Sequence, residues 1–184
     1  RDQPRSRGLG DVYKRQEDTP PHASGSINDA VIYELHVRDL SSDPSSGITQ
    51  TGKFLGLIQE GTTNSSGQAT GLDHIKNLGV THIHLLPSYD YASVDETDPE
   101  AGFNWGYDPV NYNVPEGSYS TDPYHGEVRV KEFKQMVQGL HEHGIGVILD
   151  VVYNHVYSAE DFCFNNIVPG YFSRIDQNGV YSNG

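Results

Sequence analysis

Residues 146–155 read Gly146-Val147-Ile148-Leu149-Asp150-Val151-Val152-Tyr153-Asn154-His155. The run opens on aliphatic and β-branched residues, is too short for an independent helix, and ends in Asp150, Asn154 and His155. A strand enclosed on both faces reads as continuous Val, Ile and Leu, and alternation along an extended chain sends Asp150, Val152 and Asn154 to one side. Such a strand delivers polar groups to one end of a sheet. An ordinary core strand followed by a polar loop is the alternative that this segment alone leaves open.

The flanking sequence repeats the pattern. The strand is predicted over residues 145–152 and a helix before it over 130–143, with Val130, Phe133, Met136, Val137 and Leu140 on one stripe and Gly144 as terminator. Gly139 weakens that helix by roughly 1 kcal/mol relative to alanine. Further back, Thr70-Gly71-Leu72-Asp73 resembles a capping box opening a short helix that carries Leu72, Ile75 and Leu78 and stops at Gly79. A second strand is predicted over 80–86, ended by Pro87. A first lies over 31–38, with Val31, Tyr33, Leu35 and Val37 on one face and Ile32, Glu34, His36 and Arg38 on the other. Residues 39–69, rich in Ser, Gly, Thr and Asn, are predicted to be loop.

Strand, helix, strand, helix, strand is the signature of parallel βαβ units with right-handed crossovers, an α/β architecture. The helix-to-strand links are one or two residues long, whereas the strand-to-helix links are very long. In a (β/α)8 barrel the loops after the strands build the active site while the opposite end is kept short. Doubly wound sheets also use strand C-termini, so the asymmetry alone leaves both architectures open.

A chain of 184 residues is normally one domain. Apolar residues make up only 35%, so the core must lean on Val, Ile and Tyr. Twelve tyrosines stand against one tryptophan and one methionine; a flat ring with a hydrogen-bonding tip suits a polar, ring-shaped ligand better than a lipid. Residues 1–16 are basic and unpatterned and read as a non-native or disordered tail, with 17–28 as a linker. Residues 17–184 hold seven basic against twenty-three acidic residues, a surface on which nucleic acid is a poor partner. Cys163 is the only cysteine, which excludes an internal disulfide and says nothing of compartment. No apolar run approaches the roughly 18 residues that span a bilayer, so no membrane partner is expected. No secretory signal is visible, and localisation stays open.

The link over residues 87–127 is 41 residues long and holds no Lys or Arg, nine acidic residues, six tyrosines and the only tryptophan. Loops of that length are usually functional or disordered, and the aromatic content argues against disorder. Its densest part is Phe103-Asn104-Trp105-Gly106-Tyr107-Asp108-Pro109, where rings alternate with amide, glycine and carboxylate. Sugars present C–H faces to rings and hydroxyls to Asn and Asp, so the mix suits a carbohydrate. A self-packed surface loop is the alternative.

Residues 103–109 resemble the Tyr-Asn-Trp-Gly-Tyr-Asp-Pro signature of type I pullulanases, in the α-amylase superfamily of glycoside hydrolases, departing only at Phe103. Residues 150–155, Asp-Val-Val-Tyr-Asn-His, resemble the first shared region of that superfamily, at the end of its third barrel strand. Residues 31–39, 81–87 and 111–123 are also similar to pullulanase, so the resemblance covers nearly everything after about Asp29. It implies that residues 29–184 form the N-terminal part of a catalytic (β/α)8 barrel: about three strands and two helices with long strand-to-helix loops. The implied function of the parent protein is hydrolysis of α-1,6-glucosidic branch linkages in α-glucan polysaccharide by a retaining mechanism. No protein partner is implied.

By position, the resemblance implies that Tyr107 stacks beneath the glucose just before the cleaved bond, with Asp108 beside it and Asn104 and Trp105 in the same binding segment. His155 would hydrogen-bond that glucose, and Asp150 would contact an arginine from a later strand. No cofactor is required; calcium is possible in the parent, and Asn154 matches the position that binds it in many α-amylases. Retaining glycosidases need two carboxylates about 5–5.5 Å apart, which in this family follow later strands and are expected beyond Gly184. Glu160, Asp161 and Asp176 match no catalytic motif and read as solvated charges, so this chain alone is expected to be inactive. His82 and His84 share a face of the second strand but lie early in it, which favours packing over a metal. His141 and His143 complement a helix C-terminus. A non-catalytic carbohydrate-binding module is the alternative from another class, and isoamylase-like or branching enzymes are alternatives within the superfamily.

Overall fold

The computed structural model describes residues 26–181; the predicted tail and most of the linker lie outside the described residues. Three parallel strands, β1 (Ile32–Leu35), β2 (His82–Leu85) and β3 (Gly146–Leu149), form one sheet in the order β1-β2-β3. Ile32 is level with His82 and His82 with Gly146, and Leu35, Leu85 and Leu149 close the ladder at the other end. Each strand is shorter than predicted. The ladder continues by one rung, from Leu86 N to Leu35 O and from Asp150 N to Leu85 O, both 3.0 Å, before the chains diverge into loops. Asp150 is thereby tied by its own backbone to the C-terminal rim of the sheet.

Residues in register share a face of a parallel sheet. One face carries Leu35, Val37, Ile83 and Leu85, all buried. Against it pack Leu72 and Ile75 of α1 (Gly71–Leu78) and Met136 and Leu140 of α2 (Gly126–Glu142), the two crossover helices. The other face carries Glu34, His84 and Asp150. A short helix, α3 (Cys163–Ile167), follows β3 and was not predicted.

Three expectations need correction. The box at Thr70 does not form: its hydroxyl donates to Ser46 O and lies 2.9 Å from Thr62 Oγ1. Asp73 turns to Gly61 N, 2.6 Å away, instead of back to the cap. Helix α2 begins about four residues early, because Arg129 anchors its first turn to Glu96 and to Pro123 O. Residues 39–69 are irregular but not merely surface loop. Phe54 and Leu57, in the 3₁₀ segment Phe54–Ile58, are fully buried, and the Phe54 ring meets Tyr119 and Phe133 edge-on at 5.5 and 5.4 Å. The same segment explains Gly139: a Cβ there would lie 2.8 Å from Ile58 Cγ2, so the residue that weakens α2 as a helix lets it approach.

Candidate functional site

The long link between β2 and α2 is folded onto the strand C-terminal rim. Tyr89 bridges to Pro115 and Tyr91 to Pro109. Asp90 sits between, its N–H donating to Val114 O and its carbonyl accepting from Val110 N, both at 2.8 Å. These pairs present residues 103–109 above the ends of the strands. Gly106 has φ +88°, and a Cβ there would stand 2.7 Å from Pro87 O, so only glycine lets the motif lie against the end of β2.

Within the motif, Asn104 closes a local turn: its Oδ1 accepts from Gly106 N at 2.9 Å and its Nδ2 donates to Asp108. Asp108 also accepts the Ser93 hydroxyl. Tyr107 follows this turn as a residue 40% exposed, and its hydroxyl donates to Asp150 Oδ2 at 2.6 Å. That hydrogen bond, with burial second, pushes the Tyr107 hydroxyl up to about 12, so it remains a neutral donor. From the segment after β3, His155 Nε2 donates to Tyr107 O at 2.8 Å. A carbonyl can only accept, so Nε2 carries the hydrogen and Nδ1 is left as the ring's other hydrogen-bonding atom. Tyr112 Oη donates to His155 O at 2.8 Å and fixes the backbone behind it.

Tyr107, Asp150 and His155 are thus in direct contact, with Asn104 and Asp108 bracing the turn that carries the tyrosine. Trp105 stands 60% exposed in the middle of the motif. The arginine expected against Asp150 belongs to a later strand; among the described residues, the Tyr107 hydroxyl takes one carboxylate oxygen. Asn154 is exposed. Among the described residues, the one trio of His, Cys, Asp or Glu groups close enough to share a cation is Asp90, Glu96 and Glu116, and Arg129 already sits there, its Nη1 2.6 Å from Glu96 Oε1 and 3.8 Å from Asp90 Oδ1. Asn154 is not part of that trio.

Glu116 is wholly buried and accepts from Ser118 N at 2.9 Å and Tyr91 N at 3.1 Å. Burial outweighs those bonds and pushes its carboxyl up to about 7. His82 Nδ1 contacts Thr81 Oγ1 at 2.8 Å, and His84 faces Glu34 at 3.4 Å, the polar packing expected of them. His143 Nδ1 donates to Gly139 O at 2.7 Å at the end of α2. Asp161 and Asp176 are exposed and bond locally, to Ser158 and to Asn178 and Val180 N–H groups; Glu160 is exposed too.

Sequence reasoning missed the support that β1 lends the motif. Arg38 Nη1 donates to Gly102 O at 2.6 Å, and His36 Nε2 lies 2.9 Å from Asn104 O. The available signal was position: both residues lie just past the C-terminal end of a strand, where barrel sites are built.

The family model described as "Alpha amylase, catalytic domain" matches residues 51–171. The chain is 50% identical over 156 residues to pullulanase of Bacillus subtilis (strain 168), a match spanning 85% of this chain and 22% of that protein. It is 40% identical over 172 residues to pullulanase A of Streptococcus pneumoniae serotype 2, across 86% of this chain and 13% of that one. Among solved structures, pullulanase from Paenibacillus barengoltzii in complex with maltohexaose and alpha-cyclodextrin superposes with a TM-score of 0.83 at 56% identity, over 89% of this chain and 26% of the other. The chain thus spans between 13% and 26% of the length of these relatives.

Proposed function

The chain belongs to the alpha-amylase catalytic-domain family and is part of a (β/α)8 barrel, and from that premise we propose that the full-length protein hydrolyses α-1,6-glucosidic branch linkages in pullulan, amylopectin or glycogen-type α-glucans. The observation that carries this reading is the double grip on Tyr107, its hydroxyl on Asp150 and its carbonyl on His155. It supports a flat aromatic platform held at one tilt over the strand ends. A glucose ring lays a C–H face on such a platform. His155 Nδ1 then accepts a hydrogen bond from one glucose hydroxyl, and Asp108, held by Asn104 and Ser93, supplies a further acceptor.

The bond cleavage belongs to two carboxylates about 5–5.5 Å apart: one attacks the anomeric carbon while the other protonates the departing oxygen and later activates water. On this reading, those groups come from later strands, and the residues described here bind and orient the sugar.

The test is release of maltotriose from pullulan by the full-length protein. Tyr107→Ala is expected to lower kcat/KM about a hundredfold, the equivalent of roughly 2.7 kcal/mol of transition-state binding. Glucan binding without any turnover would point to a binding module instead, and cleavage or transfer confined to α-1,4 linkages would remove the debranching assignment.

A further inference from the structure

The platform has a second abutment, in the residues just past β1. We infer that His36 is a positioning residue for the Asn104–Asp108 turn, an inference that rests on the sugar-site reading above. His36 is 5% exposed, and its Nε2 lies 2.9 Å from Asn104 O and 3.0 Å from Tyr119 Oη. Asn104 O is only an acceptor, so Nε2 carries the hydrogen. The ring also packs against Phe103 at 5.2 Å and meets Tyr119 edge-on at 5.8 Å. Arg38 holds the preceding carbonyl, Gly102 O, and places its guanidinium 5.9 Å over the Phe103 ring. Residues 102–104 are therefore clamped from β1 as Tyr107 is clamped from β3.

The other ring nitrogen marks this contact as more than packing. His36 Nδ1 is buried and makes no hydrogen bond; its nearest charged neighbour is Asp39 Oδ1 at 3.8 Å. A buried polar atom without a partner is costly, and an apolar ring of the same shape would avoid the cost. What histidine adds here is the Nε2–H held against Asn104. That bond sets the Asn104 backbone, whose side chain in turn holds Gly106 N and Asp108. The route runs from β1 through one carbonyl to a carboxylate at the sugar site.

The test compares His36→Phe with His36→Gln in the full-length protein on pullulan, with Tyr107→Ala as the control for the site itself. Phe keeps the ring and removes the donor; the Gln amide restores a donor at the same reach. His36→Phe is expected to lower kcat/KM about tenfold through a raised KM, as for one lost hydrogen bond, and His36→Gln to recover most of it. Should His36→Phe fail to fold, His36→Leu against His36→Gln reads the same contrast. Wild-type kinetics in His36→Phe, or equal losses in both variants, would overturn the positioning role. An unaffected Tyr107→Ala would instead overturn the sugar site on which it rests.

Discussion

At the scale of single residues, the site depends on one phenol held by one carboxylate. The Tyr107 hydroxyl donates to Asp150 at 2.6 Å, and a hydrogen bond to a charged group is worth about 1.5–3 kcal/mol. Tyr107→Phe keeps the stacking face and frees its tilt, so KM for pullulan is expected to rise roughly tenfold with kcat less affected. Steady-state kinetics of the full-length protein reads this directly. Glu116 makes a different prediction. Its carboxyl is pushed up from 4.5 to about 7, mainly by burial. Between those values the folded state retains a proton that the unfolded state has released, so stability contributed by this group is present below about pH 4.5 and lost as pH rises towards 7. Glu116→Gln is expected to flatten the decline of unfolding free energy over that window. A Glu116 carboxyl held below its ordinary value would instead give the opposite slope in denaturant titrations of the full-length protein.

At the scale of elements, α2 lies against the 3₁₀ segment Phe54–Ile58 through the notch at Gly139. Helix propensity alone predicts that Gly139→Ala stabilises by about 1 kcal/mol. The 2.8 Å approach to Ile58 Cγ2 predicts the reverse, a loss of about 1–3 kcal/mol from overpacking. Thermal or denaturant unfolding of the full-length protein gives the sign, and combining Gly139→Ala with Ile58→Ala is expected to cost less than the sum of the two. The helix stripe of Phe133, Met136, Val137 and Leu140 was legible from spacing, since it follows from 3.6-residue geometry. The notch was not, because its partner lies about 80 residues away along the chain. Equally, Thr70 and Asp73 have the residue types of a cap, yet tertiary donors and acceptors claimed both side chains first.

At the scale of the whole molecule, the sheet of the described residues has two open parallel edges. Val31 and Ile32, at the start of β1, are 52% and 54% exposed, and Leu149 and Val151, at and just past the end of β3, are 41% and 44% exposed. Unpaired edges of this kind invite association and leave a barrel core unclosed. The 184-residue polypeptide expressed alone is therefore expected to show a broad thermal transition, to self-associate with rising concentration, and to release no maltotriose from pullulan. A sharp calorimetric transition from a monomer that hydrolyses pullulan would defeat that expectation.

The sequence by itself determined the order of the three strands and the two crossover helices, the parallel architecture, the motif of residues 103–109 and the polar end of residues 146–155. All of these are written in local periodicity, glycine and proline placement, and residue chemistry at fixed spacing. Only the tertiary structure decided that Phe54 and Leu57 complete the core, that Glu116 is buried close to Asp90 and Glu96, and that His36 reaches Asn104 across 68 positions. It also showed that the two motifs, which the resemblance assigns to one glucose, touch each other directly, through the contacts of Tyr107 with Asp150 and His155. The physical reason is that periodicity reports which way a side chain faces along its own element. Which group it meets depends on how distant elements pack, and no local pattern encodes that.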